Sequence, residues 1–142
     1  MTDVLAAIGC AQIKNAEFEK KQRQVLIKKY IKAISNLPIK HFYNFSENIE
    51  HSAHIFPIML IEGDRDALIE YLNNINIGTS VHYTPLHKMT FWQKFVKDES
   101  FENSDNYFKN CLSLPLYPSL SNFEFEKVVG GLNSYFGIYN AA

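Results

Sequence analysis

The segment Ile77-Gly-Thr-Ser-Val-His-Tyr-Thr-Pro-Leu-His87 gathers more reactive side chains than its surroundings. It sets two imidazoles, a phenol and hydroxyls around a proline-stiffened turn. Imidazole exchanges a proton near neutral pH, and a phenol or hydroxyl can orient a polar ligand. A turn at the end of a strand is a common place for ligand contacts. The same residues also suit an ordinary loop, and taken alone they leave both readings open.

The other histidines are His41, His51 and His54. The pairs His51/His54 and His82/His87 invite a zinc reading. Both separations are odd, so within a strand each pair would point to opposite faces. No cysteine lies near either pair, and no metal site is expected. His54 alone also fits a strand histidine with a satisfied hydrogen bond. The chain has no glycine-rich phosphate loop, no nucleophile elbow, no H-E-x-x-H and no EF-hand loop.

The elements that must position these groups can be read from periodicity. Thr2 or Asp3 can cap a long first helix spanning residues 1–36, with a kink possible near Asn15. Val4–Ala11 is apolar nearly all round, as in a helix that is buried or packed on a partner. Ile27, Tyr30, Ile31 and Ile34 then form one stripe. A strand is expected at His54–Ile61, apolar on both faces like an inner strand, with Pro57 calling for an edge or a bulge. His41–Phe45 is a further strand candidate. Asp64 can cap a helix striped by Leu68, Tyr71, Leu72 and Ile75. Ile77–Tyr83 reads as another strand. Short helices follow at Lys88–Val96, carrying Phe91, Trp92 and Phe95, and at Glu102–Asn110. Leu112, Leu114 and Leu116 alternate along a strand that ends by Pro118. Ser121 and Glu124 make a capping box for a last helix with Phe125, Val128, Val129, Leu132 and Phe136 on one face. Gly130 and Gly131 weaken that helix by roughly 1 kcal/mol each against alanine. This order predicts an α/β (α+β) domain: a small, mostly antiparallel sheet covered by helices.

Bulk properties fit a single domain spanning 1–142. The composition is 46% hydrophobic and 14% aromatic, enough for a core and unlike a disordered chain. Net charge is −1, split between +5 over residues 1–46 and −6 over the rest. The basic stretch from Lys14 to Lys32 has no glycine, so it reads as a solvated helix face and not a nucleic-acid surface. The apolar run Ile55–Ile61 is too short to span a bilayer, and no signal peptide is evident. Cys10 and Cys111 form no framework and read as buried free thiols of a cytoplasmic protein.

At the reactive segment the sequence resembles the DegT/DnrJ/StrS sugar aminotransferases. Their G-[IV]-G-x-x-V-H-Y-x-P-L-H signature is matched by Gly78, Val81, His82, Tyr83, Pro85, Leu86 and His87. Met1-Thr-Asp-Val-Leu-Ala-Ala-Ile-Gly-Cys-Ala-Gln12 resembles the family's R-M-[ST]-[DE]-x-x-A-A-x-G-x-x-Q-L segment. His51-Ser-Ala-His-Ile-Phe-Pro-Ile58 resembles its H-S-x-H-x-F/Y strand. Asp64-Arg-Asp-Ala-Leu-Ile resembles the next helix start, and Leu112-Ser-Leu-Pro-Leu-Tyr-Pro118 its L-S-L-P-L-[YHF]-P strand. The likeness runs from residue 1 to about 137.

The resemblance implies the C-terminal small domain of the type I PLP-enzyme fold. Such enzymes are homodimers that use pyridoxal phosphate to move an amino group, commonly from glutamate, to a nucleotide-linked keto-sugar. They serve surface or secondary-metabolite sugar biosynthesis, though a few relatives are dehydratases or regulators. The Schiff-base lysine and the aspartate facing the pyridine nitrogen lie in the large domain, before the segment that Met1–Gln12 resembles. The resemblance therefore implies a fragment, a truncated product or one subunit of a split enzyme, inactive alone and binding no pyridoxal phosphate itself. It also implies that His82 and Tyr83, and more remotely His87 and His54, lie near the substrate without taking the α-proton. A non-enzymatic binding or assembly module built on the same domain is the competing reading.

Overall fold

The computed structural model describes residues 1–44, 46, 49–96 and 99–137. Helix α1 (Asp3–Ala33) is capped by Thr2, whose side chain accepts from the Leu5 amide, and it runs unbroken through Asn15. It stops three residues short of the expected end, where the Ile34 amide closes the last turn on the Tyr30 carbonyl. Strands β1 (Ile39–His41), β2 (Phe56–Leu60) and β3 (Cys111–Leu114) form an antiparallel sheet in that order. The His41–Phe45 candidate thus contributes only its first residue to β1, and Phe45 lies outside the described residues.

Pro57 departs from expectation. It sits in the central strand with no bulge, paired opposite Ser113. Both backbone groups of Ser113 bond to Ser80, at 2.7 and 3.3 Å. Pro57 and Ser113 are therefore a non-hydrogen-bonded pair, and the missing N–H of Pro57 faces the β1 side. Pairing on that side has already ended at His41 opposite Ile58, so no ladder bond is lost.

The core lies between sheet and helices. Phe56, Ile58 and Leu60 are buried on one face of β2, with Pro57 and Met59 half-buried on the other. Tyr30 of α1 stacks on Phe56 at 5.1 Å and meets Phe125 at 4.8 Å, and its hydroxyl donates to the Pro115 carbonyl. Helix α2 (Arg65–Asn74) is capped by Asp64, which accepts from the Asp66 and Ala67 amides. Helix α5 (Asn122–Tyr135) carries the expected Ser121–Glu124 capping box. Leu68 and Leu72 of α2, with Val128, Val129 and Leu132 of α5, join the core. Gly131 is where these two helices meet: a Cβ there would stand 2.9 Å from Ile75 Cδ1 and 3.2 Å from Leu72 Cδ2.

Three expectations need correction. Ile77–Tyr83 is not a strand: it makes a single antiparallel bridge, Ser80 to Ser113, on the free edge of β3. Of the alternating set, Ile77 is buried but Tyr83 is exposed, so the pattern does not mark one packed strand face. The Lys88–Val96 helix is reduced to a 3-10 turn at Leu86–Lys88 and helix α3 (Thr90–Gln93). Phe91, Trp92 and Phe95 are exposed and pack mainly on one another. Cys111 is buried, but Cys10 is exposed, because the first half of α1 stands clear of the core. Val4, Leu5, Ile8 and Ile13 are likewise exposed, whereas Leu26, Ile27 and Tyr30 further along are buried.

Candidate functional site

The reactive segment is fixed at three points. At its start, Ile77 is buried and its amide donates to the Leu72 carbonyl at the end of α2, 2.9 Å away. In its middle, the Ser80–Ser113 bridge seats the backbone on β3. At its end, the Lys88 and Met89 amides donate to the carbonyls of Pro85 and Leu86 in the 3-10 turn. Proline at 85 suits this place, because its preset φ enters the turn and its missing N–H leaves no donor there unpaired.

His82 is half-buried, with Nδ1 2.9 Å from the Ser113 hydroxyl. Tyr83 stands beside it, ring edge to ring face at 4.8 Å, and is 75% exposed. The two present an imidazole and a phenol on the outer side of the β3 edge. His87 takes a different course. Its ring stacks on Phe101 at 4.6 Å, and Nε2 lies 2.8 Å from Asp105 Oδ1 on helix α4 (Glu102–Asn110). Lys88 Nζ is 2.9 Å from the same oxygen. The Lys88 hydrogen bond, followed by that of His87, holds the Asp105 carboxyl below the usual carboxylate range. An ionised carboxylate only accepts, so His87 carries its proton on Nε2 and is tied into the domain. His54 lies on the exposed loop before β2, with Nδ1 3.4 Å from Ser52 Oγ, and among the described residues it makes no hydrogen bond to the His82 segment. Of the four sequence-predicted residues, His82 and Tyr83 are together, His87 is braced nearby through α4, and His54 stands apart.

Some supporting residues were not legible from spacing. Ser113 lies 31 positions from His82 and Asp105 lies 18 from His87, so nothing local pairs them. The one signal for Ser113 was a polar residue between Leu112 and Leu114 in an otherwise apolar strand. Arg65 is a further buried group: its Nη1 donates to the Cys111 carbonyl at 3.2 Å, and its guanidinium stands 5.3 Å from the Phe108 ring centre. Its Nε is within ion-pair distance of Asp66, at an angle that makes no hydrogen bond. With Lys88, Asp105 and Lys109 it borders a mixed-charge cleft of about 640 Å³. Burial pushes the Cys111 thiol up, opposed by the Tyr107 hydrogen bond and the nearby Arg65 charge, so it is poorly suited to act as a nucleophile. Among the described residues no group of three His, Cys, Asp or Glu side chains could hold a metal ion.

The sequence model of the DegT/DnrJ/EryC1/StrS aminotransferase family matches residues 1–133. The chain belongs to this family. It is 34% identical over 138 residues to the spore coat polysaccharide biosynthesis protein SpsC of Bacillus subtilis, a match covering 91% of this chain and 35% of that protein. It is 27% identical over 124 residues to the UDP-4-amino-4,6-dideoxy-N-acetyl-beta-L-altrosamine transaminase of Campylobacter jejuni, covering 85% of this chain and 33% of the relative. Among solved structures, NtdA of Bacillus subtilis with bound pyridoxamine phosphate superposes with a TM-score of 0.80 at 27% identity, over 93% of this chain and 32% of that one. The chain thus spans about a third of the length of the relatives it matches. The DegT/DnrJ/EryC1/StrS enzymes are PLP-dependent, and solved members carry the cofactor in its aldehyde and amine forms. Among the described residues no helix is long and apolar enough to cross a membrane.

Proposed function

We propose that this chain is the C-terminal small domain of a PLP-dependent aminotransferase acting on nucleotide-linked keto-sugars, part of a homodimeric cytoplasmic enzyme. In this reading His82 and Tyr83 border the substrate once a large domain covers them, and His54 is more remote. The observation that carries it is the signature segment itself. It is tied to the end of α2 and to the β3 edge, with His82 half-buried against Ser113 and Tyr83 beside it exposed. A rigidly mounted but uncovered pair of this kind suits one wall of a site whose other wall is elsewhere.

In this reading the chain does not hold pyridoxal phosphate by itself. An imine-forming lysine needs a sheltered amine with a lowered pKa. Where a lysine's shift is resolved, at Lys20, it is upward, driven first by its hydrogen bond to Glu17 and then by Glu50. Lys88 is engaged with Asp105. The cofactor would supply the electron sink, and this chain would supply contacts that orient the sugar.

Fusing the chain to the large domain of a relative such as SpsC tests the reading. Amino transfer from glutamate to a nucleotide-linked keto-sugar is expected. His82→Ala should cut kcat/KM roughly 5–150-fold, the range for losing one orienting hydrogen bond at about 1–3 kcal/mol. An active fusion that His82→Ala and Tyr83→Phe leave unchanged would contradict the assignment of those residues.

A further inference from the structure

We propose that Ser113 is a positioning residue that fixes the orientation and tautomer of His82, so that the imidazole offers an N–H outward to an acceptor oxygen of the substrate. The inference rests on the reading that His82 borders the substrate. Its structural part stands on this chain alone.

Ser113 is 6% exposed, between Leu112 at 0% and Leu114 at 3%. A hydroxyl in such surroundings must find a partner, because an unpaired buried polar group costs about 1–3 kcal/mol. The partner found for Ser113 Oγ is His82 Nδ1, 2.9 Å away. A hydroxyl has one proton to give and two lone pairs to fill, and an unused donor is tolerated less well than an unused lone pair. With one partner among the described residues, the buried hydroxyl donates. Donation requires Nδ1 to be bare, which puts the neutral ring's proton on Nε2. Ser113 also grips the His82 segment by its backbone, through both bonds to Ser80. The imidazole is thus held by side chain and main chain of one β3 residue, and β3 is pinned in turn against β2. Nε2–H is left to face outward beside Tyr83, whose hydroxyl can donate as well. Two donors side by side suit a phosphate, carboxylate or sugar oxygen. A neutral His82 in this state does not act as a base through Nε2.

NMR of the purified chain, with histidine ring nitrogens labelled and recorded above the imidazole titration, tests this directly. The wild type should show His82 as the Nε2–H tautomer in a single χ1 well. Ser113→Ala should release the ring into averaging over staggered wells. Ser113→Thr, which keeps the hydroxyl, should restore the single well. The His87 signals, set by Asp105, should stay unchanged in both variants and report that the fold persists. An Nδ1–H tautomer in the wild type would overturn the proposal, and that measurement needs no variant. So would an unchanged single rotamer in Ser113→Ala. These spectra need neither cofactor nor large domain. An inactive fusion enzyme with the predicted spectra would therefore count against the aminotransferase reading and not against Ser113, and the reverse result would do the opposite.

Discussion

Asp64 caps α2 by accepting from the Ala67 and Asp66 amides, and those bonds hold its carboxyl below the usual range. Asp105 and Glu124 are lowered as well, by Lys88 and by Ser121 first. A carboxyl whose folded pKa is depressed adds stability that is full above its unfolded value, about 4, and is lost as pH falls through the folded value. The stability of the wild type against urea should therefore fall on going from pH 7 to pH 3. Asp64→Asn keeps a capping oxygen but no longer titrates, so its loss over that interval should be smaller. The two thiols give a second test at this scale. A thiol reagent should label Cys10 in the folded chain and reach Cys111 only after denaturant is added; labelling both at once would contradict the packing. Residues of this kind were legible where the partner is local, as with Asp64 or Ser121 and Glu124. The His82–Ser113 and His87–Asp105 pairs were not, because they join segments brought together by the sheet and by α4.

Helix α5 shows what can be read from an element and what cannot. Its capping box follows from Ser-x-x-Glu, and Ser121→Ala should cost about 1 kcal/mol in denaturant unfolding. Its two glycines looked alike in sequence and differ in the fold. A Cβ at Gly130 meets nothing within 4 Å, so Gly130→Ala should stabilise by about 1 kcal/mol through helix propensity. Gly131 is packed against Leu72, Ile75 and Ile77. There Gly131→Ala should lose stability, since overpacking costs about 1–3 kcal/mol and outweighs the propensity gain. The same contrast explains the segment after α2. Period-two alternation made Ile77–Tyr83 look like a strand, yet only Ser80 pairs with β3. Its other anchors, the Leu72 carbonyl and the Ser113 hydroxyl, leave no trace in periodicity. Strand β2 was legible because its run is apolar on both faces, as suits the central strand it forms. The mode of fitting Pro57 depended on where β1 ends.

At the scale of the whole molecule, α1 sets the proportions. Its 31 residues extend about 46 Å at 1.5 Å each, and its buried residues all fall in the last third. Ile27→Ala should destabilise by about 2–5 kcal/mol, whereas Ile8→Lys should stay within about 0.5 kcal/mol in this chain. A large effect at Ile8 would mean that the first half of α1 is covered after all. The motifs carried the family, and the antiparallel sheet under helices was legible from element order. The bare start of α1 was foreshadowed by an apolar stretch with no polar face, but its exposure follows from the lack of contacts with the core. In the function proposed above, this chain holds one wall of an aminotransferase site and not the whole of it. The most direct test incubates the purified chain with pyridoxal phosphate, glutamate and a nucleotide-linked keto-sugar, followed by borohydride reduction and mass spectrometry. No amino-sugar and no lysine carrying a pyridoxyl group in stoichiometric yield is expected. One lysine modified in full, together with amino transfer, would contradict this reading.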